Sequence, residues 1–335
     1  MSASHLIYVD HAKSIGILLM VVGHVWSVNP AIRQFISSFH MPLFFFIAGF
    51  LYRHVAFGDR AAKDWRSLLL PYLLINACCM AVRLIIPLLT EPGYAFWRHF
   101  MAQCGAILIG ESLPQYGLEP VCGPSWFILA IALLHLMAYI KVPGYFLSLM
   151  TIAATWLMHR FQIGLPGPVD SAVMAWPFFY LGAVLRRAIT QKIDSFRPLR
   201  SPLWSALLLA LTAGLTFWMN RHNGVVDINS LNYGKNLVVY YLCSLSGTMM
   251  IFFLCLLIER LSFRRLDHFA GVMAAGTIVV VGFHRFCIAV SELALPTMTS
   301  VQGLVVGVVI FLIFYPVALI CERHVPVLTG YRKTG

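Results

Sequence analysis

Charge is scarce in this chain. Only 11% of its 335 residues are Asp, Glu, Lys or Arg, where a soluble globular domain carries roughly 25%. Acidic residues are scarcer still, 13 against 24 basic ones, while 60% of the residues are hydrophobic and the mean hydropathy is +0.81. No polar region of about 100 residues remains that could fold as a separate soluble domain. The expectation is therefore one integral-membrane domain over residues 1–335, all-α because only helices or closed barrels satisfy their backbone inside lipid.

Other absences narrow the chemistry. None of the 8 cysteines forms a C-x-x-C pair, which argues against redox or structural-metal work. HExxH, a GxSxG elbow, a Walker loop and GxGxxG are all missing, so zinc-protease, α/β-hydrolase, P-loop and Rossmann chemistry have no sequence support. No metal site and no bound nucleotide cofactor are expected. The net charge of +11 could suggest nucleic acid, but its basic residues lie in alternating gaps between apolar runs, so no nucleic-acid partner is expected. Internal repeats and low-complexity tracts are absent, and no Ala-x-Ala cleavage pattern follows the first apolar segment, which reads as a retained helix. A Cys104–Cys122 disulfide stays open if their shared loop faces an oxidising compartment.

What is present is a succession of apolar runs. Ten candidate spans fall at 14–29, 35–52, 68–89, 125–140, 143–158, 171–186, 203–219, 237–258, 272–291 and 301–320. Several have only about 16 residues, short of the roughly 20 of a usual spanning helix. With the N-terminus inside, the outer loops hold only five basic residues, Arg33, Arg98, Arg160, Arg221 and Lys235. Arg83 and Arg285 lie within spans, and all the other basic residues, Lys192, Arg197, Arg200, Arg332 and Lys333 among them, fall on the inner side. That asymmetry is the positive-inside pattern, so about ten transmembrane helices with both termini cytoplasmic are expected. Residues 57–72, FGDRAAKDWRSLLLPY, read as a juxtamembrane helix at the inner face. Residues 91–124 form a long outer loop with Glu91, Glu111 and Glu119, of a size that is usually functional or carries a short helix. Gly303 and Gly307 make a GxxxG helix-packing signal.

Ionisable residues inside spans are costly and point to function. Here they are His24, His40, Arg83, His135, His284 and Arg285. At about 1.5 Å per residue, His24 lies roughly 15 Å above the inner boundary, His40 roughly 8 Å below the outer one, and His284 roughly 18 Å up. All three fall in the middle to outer half of the membrane. Neutral imidazoles at one depth suit a general base acting on a hydroxyl or thiol. They also suit plain packing, each ring donating one hydrogen bond to a backbone carbonyl. That bland reading is weakest for His24 and His40, whose helices are joined by a short turn, and strongest for His135. At the inner face, Asp10 and Lys13 precede the first span, and Lys63 and Arg66 sit an i, i+3 step apart before the third. Such basic pairs anchor to anionic lipid headgroups or hold the phosphates of a cytosolic ligand.

The stretches YVDHAKSIGILLMVVGH, FISSFHMPLFFFIAGFLY and KDWRSLLLPYLLIN resemble the membrane-bound acyltransferase family 3, especially its fucose-4-O-acetylase-like branch. The family opens with an Asp, two residues, a basic residue and an apolar run to a His, here Asp10, Lys13 and His24. Its FHMPLFF-x-x-(A/S)-G stretch corresponds to residues 39–49, its basic pair before L-x-x-PY to Lys63 and Arg66, and its GPSWF segment to the stretch holding Trp126 and Phe127. Lys13 and Lys63 stand where Arg is common, which keeps the charge but loses the bidentate fork. The resemblance implies a single acyltransferase-3-like transmembrane domain, without an appended soluble domain, in the bacterial cytoplasmic (inner) membrane. It implies acyl transfer, most often O-acetylation, from acetyl-CoA or another cytosolic acyl-CoA to a hydroxyl of a surface glycan or its lipid-linked precursor. His24 would act as general base or carry the acyl group, with Asp10 orienting the basic residues. Lys13, Lys63 and Arg66 would contact the CoA, and His40, Trp126 and His284 would shape the acceptor pocket. Membrane lipids complete the expected partners.

Two other functions fit the residues alone. A proton-coupled transporter would relay protons through His24, His40 and His284, and an assembly subunit would use them only structurally.

Overall fold

The computed structural model describes residues 6–110, 120–165, 168–191, 201–261 and 263–329. Glu111, Glu119, Lys192, Arg197, Arg200, Arg332 and Lys333 lie outside the described residues. Among the described residues fourteen α-helices follow one another: α1 Ile7–His24, α2 Pro30–Ser37, α3 His40–Leu51, α4 Phe57–Asp64, α5 Leu70–Thr90, α6 Phe96–Ile109, α7 Trp126–Met137. They continue as α8 Gly144–Phe161, α9 Val169–Gln191, α10 Pro202–Asn223, α11 Leu237–Arg260, α12 Arg264–Ala275, α13 Thr277–Ala294 and α14 Ser300–His324. Among the described residues there is no strand, only an isolated bridge between Asp227 and Asn232.

The chain is thus an all-α, polytopic membrane protein. Helices stand at every one of the ten expected positions, and seven are long and apolar enough to cross a membrane: Pro30–Leu51, Phe57–Thr90, Val169–Ile189, Pro202–Asn223, Leu237–Arg260, Thr277–Ala294 and Ser300–His324. The expected spans on α1, α7 and α8 do not reach that length and hydropathy. Outward faces are apolar and bare, with Leu89 79% and Leu293 83% exposed, as lipid-facing side chains are.

Two boundaries differ from the sequence reading. The first helix begins at Ile7 rather than near residue 14, so Asp10 and Lys13 lie within α1. They can do so because α1 is sheathed by α3, α11, α12, α13 and α14, and the Asp10 carboxylate lies against α12 beside Gly271. The ninth segment is broken at Gly276, which separates the short α12 from α13. The segment expected as an outer loop carries its own helix, α6.

Close approaches hold the centre together. The α3 helix, with Phe44, Phe45 and Phe46 all buried, lies against α9 so tightly that a Cβ on Gly49 would fall on the Phe179 carbonyl oxygen. A Cβ on Gly182 would fall on the Phe46 carbonyl in the same way. The GxxxG pair works within the chain: Gly303 and Gly307 seat α14 directly on Ser27, Val28 and Val22. That contact fixes the C-terminal end of α1, where His24 sits.

At its own end of the bundle, α4 buries a small ionic cluster. Arg60 and Asp64 are 3% and 6% exposed, an i, i+4 pair 3.5 Å apart, and the His135 Nδ1 lies 3.0 Å from the Asp64 carboxylate. The Arg60 guanidinium also stacks 4.7 Å above the Tyr52 ring and donates to the Arg53 carbonyl. Removing one member leaves the others buried without their partner. Asp64→Ala is expected to destabilise the fold by about 3–5 kcal/mol, read as a lowered Tm of the detergent-solubilised protein.

Candidate active site

His24 is the last residue of α1, and the link that follows is pinned by polar contacts. The Trp26 amide donates to the Glu292 carboxylate at 3.2 Å and the Asn29 amide to the Ser300 hydroxyl at 2.8 Å. Asn29 then caps α2 by accepting from the Ala31 amide at 2.8 Å, with Pro30 at the first helical position, where no N–H is needed.

The α2–α3 segment breaks at Ser38 and Phe39, and Pro42 explains why. Proline has no N–H to give the carbonyl four residues back, that of Ser38. The buried Ser244 hydroxyl of α11 donates to that carbonyl instead, at 2.6 Å. The break places His40 at the start of α3, its Nδ1–H donating to the Ile36 carbonyl at 3.0 Å. Trp126 follows a 3₁₀ turn, Gly123–Ser125, held by the Ser125 hydroxyl on the Cys122 carbonyl at 2.7 Å and by Asn76 of α5 on the Ser125 oxygen at 3.2 Å.

These pieces enclose a cavity of about 390 Å³. His24, His40 and Trp126 all line it, together with Arg33, Ser37, Tyr240, Arg285 and the loop residues Asp227 and Asn229. It is mainly apolar with a few convergent polar groups, the usual make-up of a small-molecule site. Three of those groups have an atom without a hydrogen bond, the Arg33 Nε, the Asn229 Oδ1 and the Tyr240 hydroxyl. Buried polar atoms are nearly always paired, so these three mark where a polar ligand gains most.

His284 stands elsewhere than the sequence reading put it. Expected in the acceptor pocket, it is 0% exposed and stands behind His24, its Nε2 3.1 Å from the His24 Nδ1 and the two ring centres 5.0 Å apart. Its other nitrogen faces the Val280 carbonyl at 2.8 Å and the Val281 carbonyl at 3.2 Å.

The residues expected at the inner face form a separate group. Lys13 and Asp10 lie within electrostatic reach of each other on α1, and neither lines the cavity. Eleven residues of helix separate Lys13 from His24, roughly 16 Å. Lys63 and Arg66 are both exposed. The expected regular i, i+3 face between them is altered, because α4 ends at Asp64 and a π-helical turn, Trp65–Leu69, carries Arg66. Next to this group His11, on α1, is buried and bonded to the Asp267 carboxylate of α12 at 2.8 Å.

Sequence reasoning missed Arg33, Asp227 and Asn229. The last two stand in a loop closed by paired backbone bonds between Asp227 and Asn232, at 2.7 and 2.9 Å, and loop polarity alone carries no signal. Cys122, weighed as a partner of Cys104, turns its Sγ to the Gly282 carbonyl at 3.5 Å, beside Cys79 at 3.7 Å from the same oxygen; all eight cysteines are free thiols.

A family model described as an acyltransferase domain matches residues 6–323. No curated protein and no solved structure matches the chain.

Proposed function

The chain belongs to the acyltransferase-3 family, and from that premise we propose that it is an acyl-CoA-dependent O-acyltransferase of the fucose-4-O-acetylase-like kind. It moves an acyl group, acetyl in the simplest case, from cytosolic acyl-CoA to a hydroxyl of a surface glycan or its lipid-linked precursor, in the bacterial inner membrane. The observation that carries this reading is His24 in the wall of a 390 Å³ cavity whose other polar groups suit a hydroxylated acceptor.

The chemistry follows from the residues. His24 takes the proton of the acceptor hydroxyl as its oxygen attacks the thioester carbonyl. The C–S bond breaks, and the CoA thiolate leaves with the proton that His24 held. Arg285, which lines the same cavity, offsets the negative charge that grows on the carbonyl oxygen. Trp126 and His40 shape the acceptor subsite, and Asn229 and Arg33 pair with acceptor hydroxyls.

The donor enters from the basic inner face. Lys63 and Arg66 contact the CoA phosphates, while Asp10 holds Lys13 in register along the path. The pantetheine arm covers the roughly 16 Å of α1 between Lys13 and His24. One charge-assisted contact contributes about 1.5–3 kcal/mol. Lys63→Gln and Arg66→Gln are each expected to raise the KM for acyl-CoA about tenfold or more with little change in kcat, measured by CoA thiol release.

Mass spectrometry of the host's surface glycans, with and without the gene, tests the function itself. Loss of the mass of one ester group from the glycan supports the reading, and identical glycan masses contradict it.

A further inference from the structure

We infer that His284 is a positioning residue that holds His24 in the tautomer whose free lone pair is on Nε2, a neutral imidazole standing where hydrolase triads use a buried carboxylate. The inference rests on the acyl-transfer reading of the same cavity and adds to it the group that orients the base.

Hydrogen-bond chemistry assigns the protons. The Val280 and Val281 carbonyls can only accept, and they face the His284 Nδ1 at 2.8 and 3.2 Å. That nitrogen therefore carries the hydrogen, and in a neutral ring Nε2 is then a bare acceptor. The bare Nε2 lies 3.1 Å from the His24 Nδ1, so His24 must donate from Nδ1. Its own proton is used there, which leaves the lone pair on its Nε2. The opposite arrangement sets a lone pair against the Val280 carbonyl or requires a charged His284.

The surroundings favour a neutral partner. The groups that face the pair are Arg285 on the same helix, His40 on α3 and the Met20 carbonyl of α1, which also accepts from the His24 ring, with the Cys79 and Cys122 thiols turned to the adjacent Gly282 carbonyl. No carboxylate is among them. A carboxylate in the place of His284, which is fully buried, would be costly to desolvate. An imidazole supplies the same directional acceptor without that charge.

During transfer, the His24 Nε2 gains the hydroxyl proton and its ring becomes cationic. The Nδ1–H bond to His284 strengthens at that moment, since a bond from a charged donor is roughly twice as strong as a neutral one. The proton then leaves from Nε2 to the CoA thiolate, and His284 ends as it began. Its net role is orientation and charge stabilisation, with no proton transferred to it.

Two replacements of matched length separate this role from packing. In His284→Gln the amide oxygen can still accept from the His24 Nδ1–H, and in His284→Met only a weakly accepting thioether is left. In detergent-purified full-length protein, with acetyl-CoA and host glycan, His284→Met is expected to lower kcat about 100-fold while the KM for acetyl-CoA stays within about twofold. His284→Gln is expected to retain at least about a third of the wild-type kcat. A Met variant within threefold of wild type, or a Gln variant as slow as Met, overturns the inference. If the Met variant does not fold, the Gln variant decides alone, retention of kcat supporting the role and a 100-fold loss overturning it. His24→Ala, assayed alongside, keeps the two questions apart. Full activity there removes the catalytic reading of the cavity, whereas an inactive His24→Ala with a normal His284→Met removes this inference only.

Discussion

Replacing His24 with alanine is expected to lower the rate of acyl transfer by about 10³-fold or more without lowering the amount of protein in the membrane. A general base alone contributes about 10²–10⁴, and His24 is the cavity-wall imidazole that a second imidazole, His284, holds from behind. His40 is held instead by the Ile36 carbonyl, and its proposed part is to shape the acceptor subsite. Folding should be spared because His24 is the terminal residue of α1, while the seating of that helix depends on Val22, Ser27 and Val28 against Gly303 and Gly307. The measurement is kcat by CoA release, with membrane abundance and Tm taken on the same preparations. Wild-type kcat in a folded His24→Ala protein contradicts the role.

The second large effect is on folding. Gly49→Ala and Gly182→Ala are each expected to abolish the monodisperse, folded protein. In both, the added Cβ falls on a main-chain carbonyl, that of Phe179 or Phe46, and backbone cannot turn aside as a side chain can. The two helices must separate, which opens the buried Phe44–Phe46 layer and costs about 3 kcal/mol or more. Gly58 has nothing within 4 Å of where its Cβ would be, so Gly58→Ala is the matched control and should behave as wild type. Size-exclusion chromatography in detergent distinguishes them. A sharp, wild-type-like peak for Gly49→Ala would show that α3 and α9 are not in this contact.

The architecture was legible because each span announces itself by a local run of apolar residues, which needs no knowledge of the rest of the chain. The helix start at Ile7 was not, because Asp10 and Lys13 read as water-facing until α12 and its neighbours are known to enclose them. The same division runs through the site. His24 and His40 stood out as polar residues in otherwise apolar segments, and His284 stood out for the same reason. Its partner did not, since the bond to His24 joins residues 260 positions apart. His135 was legible only as a buried ring, because its carboxylate, Asp64, lies 71 positions away. Asp227 and Asn229 reach the cavity through the closure of the loop between α10 and α11, a geometry that leaves no trace in hydropathy or spacing.

The central claim is that an acyl group passes from acyl-CoA at the basic inner face to an acceptor beside His24. Acetyl-CoA does not cross membranes, so sealed vesicles of opposite orientation test it directly. With labelled acetyl-CoA added outside, inside-out vesicles carrying the wild-type protein should incorporate label into their glycan fraction, and right-side-out vesicles should not. Inside-out vesicles carrying His24→Ala should remain unlabelled. Label in right-side-out vesicles at the same rate, or none in either orientation with intact acceptor present, would contradict the account.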